Sequence, residues 1–387
     1  MPSFVVAPVE KPAASALPPR PRRSWRVRLT GLVCVGWLVF VVAHRVLSGR
    51  AYWWGPADLA PPFVFAAVPI LLILLAAVTR RRLLIAVALC GLILGYDYAG
   101  INAATLWHSR PAAGPGAITL VTWNTEYWDQ DLEPGGPHPT GAFYKFLRSL
   151  DADVYLLQEY AHVDLTRADT FSQALAIDQT DLLRQWFPGY EIVLAGRDLT
   201  LSRLPVVGHH WLDSIPWMPE DLRPVPPGLA DRPLFYQSQT LRTDIVVGGH
   251  VVSFYNSHIY QPPQRIFRLR SDPDKSMFAI DRFNFEIRRA SYRALAEDIT
   301  ANPNRVVLGG DFNTSPAMNL LQTLPDRLVD QSPALGSLYP ATWPVGSAKW
   351  RLDWLFTTAD VDVSAYDLLD PKGFSDHKAQ RVVLSAG

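Results

Sequence analysis

Two hydrophobic regimes divide the chain. Up to about residue 107 the apolar positions form long unbroken runs, 29–43, 59–78 and 83–96, with charges only between them. Beyond 117 they form short stretches that end in polar residues. A bilayer core needs roughly 20 residues of helix. The second run meets that length alone; the first and third meet it with flanking residues, the third reaching toward Trp107. This predicts three transmembrane helices within 25–107. Buried core helices of a soluble protein are the alternative. A cleaved signal peptide fits poorly, because the first run starts late and lacks a small-residue cleavage site.

In the second regime, 118–123 reads as a strand stopping at Asn124, and 154–157 as a buried strand running into Gln158-Glu159. Residues 192–195 and 199–202 are short strands. Residues 241–247 and 251–256 flank Gly248-Gly249, a hairpin signal. Residues 305–308 form a strand ending in Gly309-Gly310-Asp311, and 354–357 and 381–384 close the pattern. Helical spacing falls on 142–150, 171–186 and 285–299. Strands and helices mix without strict βαβ alternation, which argues for an α/β fold. The expected form is a four-layer α/β sandwich, two packed mixed sheets flanked by helices, over 117–387. Residues 1–24, rich in Pro and Ala, are expected to be disordered, and the Pro/Gly segment 108–116 to be a linker.

Charge refines this division. Residues 1–116 carry 12 Lys/Arg against 3 Asp/Glu, and residues 117–387 carry 24 against 33. Arg20, Arg22, Arg23, Arg26 and Arg28 precede the first run, and Arg80, Arg81 and Arg82 separate the second from the third. Positive residues favour the cytoplasmic side, so an odd number of spans puts the C-terminal domain outside the cytoplasm. Trp53, Trp54 and Trp107 suit the outer interface. Both cysteines, Cys34 and Cys90, lie in apolar runs and read as small apolar filler.

The polar residues that end the strands form an ordered set. It runs Trp123-Asn124-Thr125-Glu126, Leu157-Gln158-Glu159, Ser202-Arg203-Leu204-Pro205, Ser257-His258, Gly310-Asp311-Phe312-Asn313, Arg351-Leu352-Asp353 and Ser375-Asp376-His377. Each motif alone is weak, since Asn and Asp at strand ends are usually turn or cap residues. In this order, the set resembles the endonuclease/exonuclease/phosphatase superfamily across residues 117–387.

That resemblance implies a divalent-metal-dependent phosphoesterase. Phosphoester hydrolysis needs a cation against the phosphoryl oxygens, a group that activates water, and stabilisation of the leaving oxygen. By resemblance, Glu159 would hold Mg²⁺ (or Mn²⁺), with Glu126 supporting it and Asp376 acting near it; family members more often carry Asp or Asn at the Glu126 position. Asn124 and Asn313 would bind the metal's water shell or the phosphate. Asp311 would orient or deprotonate water, and His377, held by Asp353, would contact the phosphoryl oxygen. His258 would be a second phosphate contact. A zinc site using His258 and His377 lacks the paired spacing of known sites. Arg203 reads as a structural brace.

Two stretches look like insertions. Residues 206–240 are rich in proline. Residues 260–288 carry Arg265, Arg268, Arg270, Lys275, Arg282 and Arg288 among aromatics, and read either as a solvated loop or as a lid that meets an anionic head group. The expected partners are a phosphorylated substrate and the lipid bilayer. The layout is similar to that of membrane-anchored superfamily members, which implies a lipid-linked phosphate. A tethered extracytoplasmic nuclease is the alternative, although the acidic balance disfavours nucleic acid. A catalytically inactive binding module is a third reading, opposed by the complete acid, Asn and His set. No protein partner is evident.

Overall fold

The computed structural model describes residues 25–130, 139–167, 173–262 and 277–386. The N-terminal tail and Arg265, Arg268, Arg270 and Lys275 lie outside them.

The apolar N-terminal region forms three long helices, α1 (Trp25–Leu47), α2 (Val64–Val78) and α3 (Arg82–Gly95), besides a single helical turn at Gly55–Asp58. The expectation of three membrane-length helices is corrected. Among the described residues, only Trp25–Leu47 and Arg82–Ala99, the latter including a 3-10 turn, are long and apolar enough to cross a membrane. The second run, which satisfied the length criterion in sequence, is the 15-residue α2. Pro61 and Pro62 hold the start of that run in a turn, where Val64 N–H bonds Pro61 O and Phe65 N–H bonds Pro62 O. A helix of that length rises only about 22 Å. The three helices pack together. A Cβ on Gly31 would lie 3.5 Å from Leu84, and one on Gly95 would lie 3.5 Å from Phe65 O and 3.7 Å from Val41. The start of α1 therefore lies beside the start of α3, and the end of α3 beside the start of α2 and the end of α1.

The remainder contains two six-stranded sheets. Their strands are β1 (Ile118–Asn124), β2 (Val154–Gln158), β3 (Glu191–Ala195), β4 (Asp198–Ser202), β5 (Val206–Asp213) and β6 (Ser238–Val247). They continue with β7 (His250–His258), β8 (Arg305–Asp311), β9 (Leu328–Asp330), β10 (Asp353–Thr358), β11 (Val361–Leu369) and β12 (Ala379–Ala386). One sheet runs β11-β12-β1-β2-β4-β3 and the other β9-β10-β8-β7-β6-β5. Helices α4 (Thr140–Ser149) and α5 (Thr180–Trp186) cover the first sheet, and α6 (Met277–Ala301) covers the second. This is the expected mixed α/β architecture of sheets flanked by helices.

Side-chain alternation explains both the layering and the site. Successive residues of a strand face opposite sides. In β1, Leu120 enters the core between the sheets, while Val121 and Trp123 pack outward against Phe143 and Leu147 of α4. In β8, Val307 faces the inter-sheet core, while Val306 and Leu308 face Tyr292 and Leu295 of α6. The same alternation puts Asn124, Gln158, His258, Asp311 and Asp353 on the inter-sheet parity, at the end of their strands beyond the apolar layer.

Three local readings change. Residues 206–213 of the first supposed insertion are the edge strand β5. Of the helical spacing over 171–186, the described residues 174–186 are helical from Thr180, because Ala174–Leu175 pairs with His162–Val163 as a small ladder. Strand β11 had no sequence counterpart.

Candidate active site

The site lies where the central strands of both sheets end. In the second sheet, parallel pairing puts Asp311 opposite His258, and antiparallel pairing puts it opposite Asp353. Gly310 makes this row possible. Its φ is +141°, and a Cβ there would lie 2.0 Å from Ser257 O. No other residue tolerates that approach. In the first sheet, Asn124 pairs with Gln158, and Gln158 Nε2 donates to Asn256 Oδ1 of the opposite sheet at 2.6 Å. That buried amide pair ties the sheets together beneath the site. The loop carrying Asp376 and His377 is hooked to β1: Ser375 Oγ donates to Asn124 O at 2.7 Å, and Trp123 Nε1 donates to His377 O at 3.0 Å.

Asp311 is buried and surrounded by donors. Asn313 N–H reaches its Oδ1 at 2.8 Å, and Asn124 Nδ2 and Asn313 Nδ2 reach its Oδ2 at 3.0 and 3.1 Å. His377 Nε2 stands 3.7 Å from the same oxygen, and its Nδ1 lies 2.9 Å from Asp353 Oδ2. Asp311, Asp353 and His377 each bring one atom within 4.8 Å of the others, a spacing that would also admit a metal ion. The commitment of Nδ1 to Asp353 instead makes this a hydrogen-bonded relay. Burial opposes the imidazolium, but the carboxylates of Asp353, Asp311 and Asp376 outweigh it and hold His377 well above the usual imidazole range. Burial also pushes the Asp311 carboxyl up, against the pull of His377.

A second, acidic group sits beside the relay. Glu159 Oε2 accepts the Tyr127 N–H at 3.0 Å, and Glu126 Oε2 accepts the Asp376 N–H at 2.8 Å. Burial, Asp376 and Glu159 together push the Glu126 carboxyl up to about 7. Burial raises Glu159 as well, tempered by Arg197, His377 and Asn124. Glu126 is therefore brought to the site despite departing from the usual residue type. Crowded carboxylates with an amide oxygen nearby are an all-oxygen donor set, the kind that suits Mg²⁺ or Mn²⁺. The residue types present fit such a cation, which Glu159 and Glu126 would hold, with Asp376 bonded to Glu126 through its backbone N–H.

His258 Nε2 is 3.4 Å from Glu159 Oε1 and 3.9 Å from Asp311 Oδ2. Burial, then Arg197 and His377, hold it well below the usual imidazole range, so it faces the site neutral. Backbone strain collects here too. Glu126, Tyr127, Trp128, Glu159 and Asn313, none of them glycine, have φ between 46° and 64°. Each costs on the order of 1 kcal/mol, held by the surrounding hydrogen bonds.

Arg203 belongs elsewhere. It pairs with Asp151 and Asp153 at the start of β2, the opposite end from Glu159. Three residues escaped sequence reading. Arg197, on the β3–β4 turn, stacks its guanidinium near Phe235 and Tyr260, 5.9 and 5.8 Å from their ring centroids, and acts electrostatically on Glu159 and His258. Tyr127 supplies the backbone donor to Glu159. Trp343 donates Nε1 to Asp376 Oδ2 at 2.6 Å and pairs with Trp350, with ring centroids 5.5 Å apart. The only sequence signal for Arg197 was its place in a tight turn between two short strands.

A two-sheet sandwich that gathers carboxylates, amides and an Asp-bound histidine at one strand edge defines the class. The chain belongs to the endonuclease/exonuclease/phosphatase family, whose model matches residues 121–377. Members of this family are generally hydrolases of phosphoesters. Among solved structures, it is similar to an endonuclease/exonuclease/phosphatase from Beutenbergia cavernae DSM 12333, with 17% identity, TM-score 0.46, and coverage of 70% of this chain and 72% of that one. It is also similar to truncated Caenorhabditis elegans TDP2, with 17% identity, TM-score 0.44, and coverage of 70% and 98%. A third is the mannosyl-6-phosphatase Bt3783 of Bacteroides thetaiotaomicron VPI-5482, with 13% identity, TM-score 0.43, and coverage of 69% and 99%. No curated protein matches the chain.

Proposed function

We propose that the protein is a divalent-metal-dependent phosphoesterase, tethered to a membrane with its site outside the cytoplasm and acting on a lipid-linked phosphate. The observation that carries the hydrolytic reading is the continuous hydrogen-bonded group Asn124–Asp311–Asn313 beside His377–Asp353. Asp311, oriented by the two asparagines, takes the proton of the attacking water. His377, kept protonated by Asp353, offers Nε2–H to a phosphoryl oxygen as charge builds there. His258 and Arg197 line the opposite side and contact the remaining phosphoryl oxygens. Glu159 and Glu126 would hold a divalent cation, which would supply Lewis-acid neutralisation of the phosphoryl group.

The membrane reading is supported by the N-terminal helices. Their outward positions include Leu32, Val39, Leu74, Val78, Leu83 and Ile93, all exposed large apolar side chains. An apolar exposed surface of this kind on a helix bundle suits lipid. α1 and α3 run in the same direction and the shorter α2 returns between them, so whatever the number of full-length spans, Arg26 and Arg28 share one end of the bundle with Arg80, Arg81 and Arg82. That end lies away from the catalytic domain, the arrangement expected when arginines stay in the cytoplasm.

The nuclease reading has less support. Of the arginines in 260–288 that the structure describes, Arg282 is paired with Asp221 at 2.7 Å and Arg288 is buried. Neither offers a free phosphate contact along a strand. The deciding experiment is an activity panel on the full-length protein in detergent with Mg²⁺, comparing polyprenyl pyrophosphate, inositol phosphates, DNA and RNA. Phosphate release from the lipid substrate, lost on chelation, is expected. Efficient cleavage of plasmid DNA with no release from lipid phosphates would overturn the substrate assignment.

A further inference from the structure

We infer that the N-terminal helices position the catalytic residues as well as anchoring them, through His44 of α1 and Ser48 in the turn just after it gripping the segment that runs on from Asp311. This rests on the reading of Asp311 as the group that activates water.

The segment in question, 312–318, has no strand or helix of its own to satisfy its backbone. At its near end, Phe312 N–H bonds Leu352 O, and Trp354 Nε1 donates to Thr314 O at 2.7 Å. At its far end the partners come from the N-terminal helices. His44 is fully buried. Trp54 Nε1 donates to its Nδ1 at 3.0 Å, so Nε2 carries the ring proton and donates to Ala317 O at 2.7 Å. Asn319 is held on every side. Its backbone N–H donates to Ser48 Oγ at 3.1 Å, its Nδ2 reaches Arg45 O and Ser48 O at 3.2 and 3.3 Å, and Tyr98 OH donates to its Oδ1 at 2.9 Å. Trp54 thus serves the protein interior as well as the interface.

Five residues separate Asp311 from Ala317, so their α-carbons lie within about 20 Å of each other, and Ala317 is bonded to His44 in the last turn of α1. A second link runs through Arg288. Its guanidinium donates to Tyr260 O, two residues past His258, and to Thr314 Oγ1 at 2.6 Å. Asp58, buried between α1 and α2, lies within electrostatic reach of Arg288. The loops after His258 and after Asn313 are thereby joined to each other and face a carboxylate of the N-terminal region. A tether that only raised local concentration would need none of these bonds.

The test compares full-length wild type with His44→Ala, His44→Gln and Asn319→Ala in detergent micelles with Mg²⁺. Hydrolysis of bis-p-nitrophenyl phosphate and amide hydrogen exchange are measured together. A small displacement of a catalytic group costs about tenfold to a hundredfold in rate. His44→Ala and Asn319→Ala should lower kcat by that factor with KM changed less than about twofold. Exchange at 312–319 should speed up while β1 and β12 keep wild-type protection. His44→Gln, which retains a donor toward Ala317, should recover most of kcat. Wild-type kcat and wild-type exchange at 312–319 in both alanine variants would overturn the inference, and so would a rise in exchange spread evenly over both sheets. If His44→Ala fails to fold, Asn319→Ala decides alone. If the wild type hydrolyses no phosphoester, the proposed function fails and the exchange comparison still decides the bracing.

Discussion

Asn124 Nδ2 lies 3.0 Å from Asp311 Oδ2, and this one bond joins the end of β1 in one sheet to the end of β8 in the other. Both residues sit on the inter-sheet parity, just past the apolar layer, where a buried carboxylate without donors would be costly. The asparagine therefore orients Asp311 and helps to keep it chargeable.

Removing the carboxylate should remove the reaction. Asp311→Asn is expected to lower kcat by about 10³-fold or more, and Asn124→Ala by a smaller factor of about tenfold to a hundredfold. The double variant should be little worse than Asp311→Asn, because the two act as one unit. Steady-state kinetics with circular dichroism to check folding would measure this. Near-wild-type turnover in Asp311→Asn would discard the assigned site.

Metal binding should depend on pH through Glu126. Its carboxyl titrates at about 7 rather than in the usual carboxylate range. Below that pH it is protonated in the folded protein, and a proton must leave before a cation is held. Affinity for Mn²⁺ should therefore weaken as pH falls through 7, by up to about tenfold per unit for one competing proton. Calorimetric titration at pH 6, 7 and 8 would read the slope. Glu126→Gln should flatten it; a slope unchanged in that variant would remove Glu126 from the cation's neighbourhood.

Gly310→Ala should destabilise the domain by about 3–5 kcal/mol, since the added methyl would meet Ser257 O and the left-handed φ is costly. The parallel pairing of β7 with β8 would have to shift, and His258 and Asp311 would separate with it. Denaturant unfolding gives the stability change. A loss below about 1 kcal/mol would mean that the strands are not locked in this register.

Arg197→Ala should raise KM more than it lowers kcat, by about tenfold, if the guanidinium contacts the phosphoryl group in ground and transition states alike. Arg197→Lys should recover only part, because the flat guanidinium lies near the rings of Phe235 and Tyr260. Equal losses of kcat and kcat/KM would instead assign Arg197 to the transition state alone.

A reporter that works only outside the cytoplasm, fused after Gly387, should be active. Activity of a strictly cytoplasmic reporter at that position would reverse the proposed orientation.

Two local signals in the chain account for much of this protein. The change from long apolar runs to short alternating ones marks where the helices give way to sheets, because hydrophobic period reports the surface a segment must bury. Apolar alternation ending in Asn124, Gln158, His258 and Asp311 was legible because parity carries a strand-end residue to the same face as the core residues an even number of positions before it, Leu120, Leu156, Phe254 and Val307. The remaining features depend on packing between distant segments. Strands β5 and β11 lie at sheet edges, where one neighbour is missing and the apolar pattern thins. The second apolar run looked long enough to span, but two prolines consume its first turn. Arg197 and His44 matter through partners remote in the chain: Tyr260 lies across a different loop, and Ala317 follows His44 by 273 residues. No local pattern encodes such pairs, since their contact depends on how whole layers pack.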